Sequence, residues 1–188
     1  MSVSYSENFM RVAIDLAAEA YSINEIPVGA VVVKDGVIVG RGFNTVIKDL
    51  SVSSHAEINA INEASSYLNN YRLTECDLYV SLEPCHMCAK AIVDARIKNL
   101  FFGALEPKTG AVVSIDSFFD LNHLNHRVAY SYGHLAGSSK SLLQSFFKSK
   151  RSSNFSSITF EAVSTSTKRS AIISAESSNI LGSGSRPN

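Results

Sequence analysis

The chain has 188 residues, of which 45% are hydrophobic and 18% charged, and its formal net charge is zero. This length allows one domain of about 150 residues with a hydrophobic core, together with one further segment. No apolar run approaches the roughly 20 residues that a membrane helix needs, and the polar, acidic residues 1–9 do not resemble a secretory signal. We therefore expect a cytoplasmic protein without a membrane span.

The first half of the chain predicts a helix, a β-hairpin and a second helix. Apolar residues at three- and four-residue spacings mark the helices, and β-rich runs flank the turn signal Asp35-Gly36. The two strands of the hairpin should pair antiparallel, and Ser53 or Ser54 can cap the second helix. The four elements cover, in order, residues 8–23, 28–33, 37–43 and 55–68.

The second half alternates strands and helices. Its predicted elements are a strand, a helix that begins after Pro84, a strand, a short helical turn, a strand and a final helix, over residues 77–81, 85–95, 100–103, 116–121, 127–132 and 139–150. Together the elements predict an α/β fold, a three-layer α/β/α sandwich with a five-stranded mixed sheet. The sheet should be largely parallel, with the first strand as the antiparallel exception.

The composition changes near the end of this last helix. Residues 152–188 are rich in serine and threonine without sustained periodicity, so we expect a folded domain over residues 1–151 and a disordered tail over 152–188. Residues 121–160 contain no Asp or Glu but carry several basic residues, including Arg127, Lys148 and Arg151. That pattern fits either a solvated helix face or a surface for an anionic partner.

Two short motifs carry the chemistry. His55-Ala56-Glu57 opens one predicted helix, and Pro84-Cys85-His86-Met87-Cys88 opens another. Cysteines at i and i+3 lie on one helical turn, where the positive helix end favours the thiolate that binds zinc. With His55 they form three protein ligands, which leaves a position for water that the metal acidifies towards hydroxide.

Glu57 has an evident role beside this zinc site. Two residues from the histidine ligand, its carboxylate can reach the activated water without binding the metal, and can carry the proton to the substrate and its leaving nitrogen. The order H-x-E followed by P-C-x-x-C is the signature of zinc-dependent deaminases. We therefore predict a zinc site of His55, Cys85 and Cys88 with Glu57 as the catalytic proton shuttle.

Other roles for these residues are weaker. A thioredoxin-like redox pair would leave His55 and Glu57 without a function. Cys76 could close a structural zinc site as a fourth ligand, but a buried, inert thiol is the better hypothesis for it. His86 lies between the two cysteines, so its side chain should leave the metal-facing side of the turn and contact solvent or other groups around the site.

The chain resembles the bacterial-type tRNA-specific adenosine deaminases of the cytidine deaminase-like superfamily over about residues 9–151. Motifs that the superfamily shares are Glu25-Ile26-Pro27-Val28-Gly29-Ala30, Asn44, His55-Ala56-Glu57-Ile58, Tyr71-Arg72-Leu73 and Leu82-Glu83-Pro84-Cys85. Those that resemble the tRNA enzymes in particular are Lys108-Thr109-Gly110-Ala111, Asn125-His126-Arg127-Val128 and Phe146-Phe147-Lys148.

The resemblance implies hydrolytic deamination of adenosine to inosine at the wobble position of a tRNA anticodon, by a zinc-dependent homodimer. It implies that Asn44 holds the flipped nucleoside, that the backbone at Ala56 and Glu83 bonds the base edge, and that Glu25 shapes the pocket. Candidates for contacts with the flanking nucleotides are Glu106, Lys108, Arg127, Phe146, Lys148 and Arg151.

Three alternatives stay open at this point. One of the adjacent aromatics Phe146 and Phe147 should pack into the core rather than stack on a base. The same chemistry could serve a free base or nucleoside such as guanine or cytosine. A non-catalytic zinc scaffold is the third, although it would not need Glu57.

Overall fold

The computed structural model describes residues 5–152, and in that part of the chain it contains every helix and strand that the sequence predicts. The helices are α1 (Glu7–Ser22), α2 (Ala56–Tyr67), α3 (His86–Asp94) and α4 (136–152). The strands are β1 (Gly29–Lys34), β2 (Val37–Phe43), β3 (Asp77–Leu82), β4 (Asn99–Ala104) and β5 (Ala129–Tyr132). The helical turn expected before β5 is a short 3₁₀ turn, Phe118–Asp120.

The strands form a mixed sheet in the order β2-β1-β3-β4-β5. Strand β1 pairs antiparallel with both β2 and β3, whereas β3 and β4 pair parallel, as do β4 and β5. Four strands therefore run in one direction, and β1 alone is reversed. This confirms the predicted sheet, including its exception.

Both faces of the sheet are covered. Ala30 and Val32 of β1 face a core with α2 and α3, whereas Val31 and Val33 face a second core with α1. Successive side chains along a strand point to opposite faces of the sheet. A strand in which consecutive residues are all buried must therefore be covered by helices on both faces. The predicted three-layer α/β/α sandwich is confirmed.

The backbone of helix α2 packs directly against the backbone of β2. A Cβ atom added at Gly42 would lie 2.2 Å from the Ala56 carbonyl oxygen, and one at Gly40 would lie 2.3 Å from the Ala60 carbonyl oxygen. Only residues without a side chain allow this approach. The two glycines thereby set the position of the helix that begins at the zinc-site motif.

The chain divides into two units. Residues up to Phe146 form the first, and the end of α4 from Phe147 is the described part of the second. None of the helices within residues 5–152 is long and apolar enough to cross a membrane. From residue 153 onward, the predicted serine-rich tail lies outside the described residues. The domain boundary at residue 151 stays a prediction.

Candidate active site

Three potential metal ligands converge between α2 and α3. The Nδ1 atom of His55 lies 3.8 Å from the Cys85 sulfur and 3.5 Å from the Cys88 sulfur. A tetrahedral zinc ion, with bonds of about 2.1 Å to nitrogen and about 2.3 Å to sulfur, separates such atoms by about 3.6 Å. The His55 nitrogen therefore lies about as far from each sulfur as a shared zinc ion requires, and all three ligand atoms lie within 4.8 Å of one another.

The two helix N-termini explain this convergence. His55 is the N-cap residue of α2 and Cys85 the N-cap residue of α3, and both adopt an extended backbone. The unpaired N–H groups of a helix start favour negative charge, which supports thiolate ligands. A hydrogen bond from Cys88, together with one from His55, lowers the pKa of Cys85 to about 3, so the form that zinc binds is already favoured.

The hydrogen bonds to Cys85 also change the pKa values of Cys88 and His55. Donation to Cys85 and burial together raise the pKa of Cys88, and the hydrogen bond to Cys85 raises the pKa of His55. Zinc binding requires Cys88 to lose its proton and His55 to offer a neutral nitrogen, so loading the metal must release protons.

Glu57 lies beside the ligands, buried at 4% exposure in the first turn of α2. Burial raises the pKa of its carboxyl to about 7, and the neighbouring Cys85 thiolate adds to the effect. A zinc ion beside it acts in the opposite direction, because positive charge favours the carboxylate. A buried carboxyl group beside the three potential ligands is suited to accept a proton and to return it.

The two other candidate ligands are excluded by position. Among the described residues, the group that can hold a metal consists of His55, Cys85 and Cys88. Cys76 is fully buried in the core, with a pKa raised by burial, as expected for an inert thiol. The His86 ring turns outward and bonds the carboxylate of Asp116, so it contributes nothing to the metal. A zinc ion held by these three ligands would keep a fourth position for water, as catalytic zinc sites do.

Comparison with known proteins agrees with this geometry. Residues 3–104 match the family described as the cytidine and deoxycytidylate deaminase zinc-binding region. A tRNA-specific adenosine deaminase from Haemophilus influenzae is 45% identical over 148 residues, which cover 78% of this chain and 86% of that protein. The chain belongs to the tRNA-specific adenosine deaminase family. Zinc is its cofactor, and the group of His55, Cys85 and Cys88 could hold it.

Further relatives support the same membership. The tRNA-specific adenosine deaminase of Aquifex aeolicus is 44% identical over 145 residues, covering 77% of this chain and 95% of that protein. A solved structure from a study of A-to-I editing by tRNA:A34 deaminases at the wobble position of transfer RNA is 40% identical, with a TM-score of 0.72. The alignment covers 73% of this chain and all of that one.

In this member of the family, Asn44 joins the end of β2 to the start of α2. Its Oδ1 atom accepts the Ala56 backbone N–H at 2.8 Å. The expectation that Ser53 or Ser54 caps α2 is therefore wrong, because His55 takes the N-cap position and Asn44 satisfies a free N–H of the first turn. The same bond occupies the N–H of Ala56, whose backbone was expected to bond the base edge.

Glu25 anchors the loop between β2 and α2. Its carboxylate is 2% exposed and accepts the backbone N–H groups of Ile47 and Lys48 at 2.7 and 2.8 Å. Because this loop leads directly to His55, Glu25 acts on the site from outside it. Its carboxylate is taken up by these backbone hydrogen bonds, and its role in shaping the pocket stays a prediction.

Glu83 precedes the cysteine motif and holds the loop after β4. Its side chain accepts backbone N–H groups from Glu106, Val113 and Ser114 and the Ser114 hydroxyl. Burial alone would raise the pKa of Glu83, but these hydrogen bonds outweigh it and hold the pKa below its usual value. The sequence offered no signal for Ser114, since its partner lies 31 residues earlier in the chain.

The basic residues expected to contact RNA differ in exposure and in their hydrogen-bond partners. Lys108 is exposed, with its backbone N–H bonded to the Glu106 carboxylate at 3.0 Å. The Arg127 guanidinium donates to the backbone carbonyls of Phe119 and Leu121. Lys148 and Arg151 are exposed on the last turns of α4, in the second unit.

Phe146 is the one RNA candidate that the structure removes. Its ring is 4% exposed and packs edge-on against Tyr21, with ring centres 5.7 Å apart, whereas Phe147 is 45% exposed. The expectation that Phe146 offers a stacking face is therefore wrong. Of the two adjacent aromatics, Phe146 is the residue that packs into the protein, because the phase of α4 directs it inward.

Proposed function

We propose that this chain hydrolyses the exocyclic amine of adenosine at the wobble position of a tRNA anticodon, which yields inosine and ammonia. The observation that carries the proposal is the three-ligand site with Glu57 buried beside it. That arrangement specifies a hydrolytic deaminase, and the family to which the chain belongs specifies the substrate.

The reaction needs a nucleophile and a proton carrier. A zinc ion bound by His55, Cys85 and Cys88 would lower the pKa of a water molecule. The resulting hydroxide would be the nucleophile for C6 of the adenine ring. Glu57 accepts the proton of that water on its carboxylate. It returns that proton to the ring nitrogen N1. It then takes the second proton from the hydroxyl group now bonded to C6 and delivers it to the departing amine, so that the C6 carbonyl forms, ammonia leaves and the carboxylate is restored.

The chain also has groups suited to hold the nucleoside. A wobble base must leave the anticodon loop before it can enter a pocket, and polar groups at the pocket wall then bond its edge. We assign this role to Asn44 and to the backbone at Glu83. Ala56 can take part only if its N–H exchanges the bond to Asn44 for one to the substrate.

Binding of the nucleotides that flank the wobble base requires positively charged side chains along the path of the RNA backbone. We propose that Lys108, Arg127, Lys148 and Arg151 meet the RNA phosphates and that Glu106 contacts a neighbouring nucleotide. We also propose that the enzyme acts as a homodimer in the cytoplasm, where its tRNA substrate would be edited. The dimer can be tested by sedimentation of the purified chain, in which a monomer at every concentration would contradict it.

The same chemistry on a free base is the competing function. The test is inosine formation on an anticodon stem-loop with adenosine at the wobble position, run beside ammonia release from free guanine and free cytosine. A stem-loop with its adenosine moved to another loop position is the matched control. Turnover of a free base without inosine in the stem-loop would reject the tRNA assignment.

A further inference from the structure

Glu83 has more hydrogen bonds than its place in the cysteine motif requires. Its buried carboxylate, 3% exposed, accepts three backbone N–H groups and one hydroxyl. All four donors belong to residues 105–116, which we call the 105–116 loop. A buried charge is costly unless it is fully hydrogen-bonded, so the carboxylate and the loop conformation depend on each other.

The 105–116 loop lies directly against the metal centre. Gly110 forms an isolated β-bridge with the zinc ligand Cys85, and the Ala111 N–H donates to the Pro84 carbonyl at 2.9 Å. Lys108 lies two residues before Gly110 and is exposed. The loop thus carries an exposed cation two residues from its contact with Cys85.

Gly110 makes the packing between loop and carboxylate close. A Cβ atom at this position would lie 2.3 Å from the Glu83 Cδ atom and 2.4 Å from its Oε2 atom. Any larger residue would push the carboxylate away from its donors. The sequence Lys108-Thr109-Gly110 therefore combines a candidate RNA contact with the residue that lets Glu83 approach.

We propose that Glu83 is a positioning residue for RNA binding: its carboxylate holds the 105–116 loop so that Lys108 meets the substrate phosphates beside the metal. This inference rests on the proposed tRNA function and deepens it. Removal of the carboxylate should release Lys108 from its position while leaving His55, Cys85, Cys88 and Glu57 in place. Affinity for RNA should fall more than the rate of the chemical step.

The direct test is a double-mutant cycle with Glu83→Gln and Lys108→Ala. Each single variant should raise the KM for the stem-loop and its Kd by about tenfold, the loss of one charge-assisted contact, with kcat nearly unchanged and zinc content retained. Lys108→Ala should also lower the slope of log Kd against log salt by about one. In the Glu83→Gln background, Lys108→Ala should add little to either quantity.

A full tenfold loss from Lys108→Ala in the Glu83→Gln background would overturn the proposal, because Lys108 would then act without Glu83. A fall in kcat at unchanged KM would also overturn it, since that is the result of a structural loss of active enzyme. Glu63→Gln is the matched control. Its carboxylate accepts the Arg41 backbone N–H at the edge strand β2, and the variant should leave KM and Kd unchanged.

Two milder variants keep the test usable if Glu83→Gln does not fold. Ser114→Ala removes one donor to the carboxylate, and Gly110→Ala displaces the carboxylate from the loop side. Both should raise the stem-loop Kd and reduce the effect of Lys108→Ala, and full additivity in both would refute the coupling. The Kd is measured without turnover, so the coupling between Glu83 and Lys108 can be determined independently of activity. Absence of inosine with the wild-type enzyme would reject the proposed function instead.

Discussion

Gly42→Ala tests how the zinc-site helix is positioned. The new Cβ atom would lie 2.2 Å from the Ala56 carbonyl oxygen and 2.5 Å from the Ala60 nitrogen, both of them backbone atoms of α2. Relief of this overlap requires α2 to move by about 1 Å, because non-bonded atoms pack well only beyond about 3.5 Å. Overpacking of this kind costs about 1–3 kcal/mol, and we expect the upper end because no flexible side chain can yield.

A loss of about 3 kcal/mol corresponds to a fall in Tm of about 6–12 °C for a chain of this size. A displacement of about 1 Å at a catalytic group also costs about a hundredfold in rate, and α2 carries both His55 and Glu57. Thermal unfolding and kcat/KM on the stem-loop measure the two effects.

Gly137→Ala is the matched control for this substitution. Gly137 lies in α4, and a Cβ atom added there would have no atom of the described residues within 4 Å. Alanine should therefore leave stability unchanged or raise it by up to about 1 kcal/mol. If Gly42→Ala kept the Tm and rate of the wild type, close backbone approach would not be what positions α2.

Four further outcomes are expected. Glu57→Ala should keep about one zinc per chain and lose turnover by about a thousandfold or more, because only the proton shuttle is removed; loss of zinc would make Glu57 a ligand instead. Cys88→Ala should lose zinc and lower the Tm together, as metal analysis and thermal unfolding will measure, because ligand binding and folding are coupled. His86→Ala should keep its zinc, since the ring bonds Asp116, and depletion in metal analysis would contradict the assignment. Burial lowers the pKa of His134 below its ordinary 6.5, so the unfolded chain binds that proton first and stability should fall as the pH drops below 6.5; urea unfolding should give a shallower pH dependence for His134→Asn, and an equal one would count against this cause.

Local pattern was sufficient for the elements and for the pair of cysteine ligands. Helical and strand periodicities depend on near neighbours in the chain, and the Asp35-Gly36 turn is a local signal for the hairpin of β1 and β2. Cys85 and Cys88 share one helical turn whatever surrounds them. For this reason the elements and the cysteine pair could be predicted before any contact was known, whereas the grouping of His55 with them, 30 residues away, was inferred from the order of the two motifs.

Partners distant in the chain could not be predicted in this way. Glu83 depends on Ser114, and His86 depends on Asp116, each across about 30 residues that come together only when β4 and its following loop fold back. The start of α2 differs from expectation for the same reason, since Asn44, just after β2, supplies the bond that a local serine was expected to make.

The two phenylalanines near the end of α4 mark the division most clearly. Helical periodicity places both of them on one helix and requires that one be buried, because adjacent residues point in different directions around a helix. Which of the two is buried depends on the folded chain, where Phe146 contacts Tyr21 of α1. Spacing along the chain specifies chemistry and local geometry, whereas the choice between neighbouring side chains depends on what packs against them.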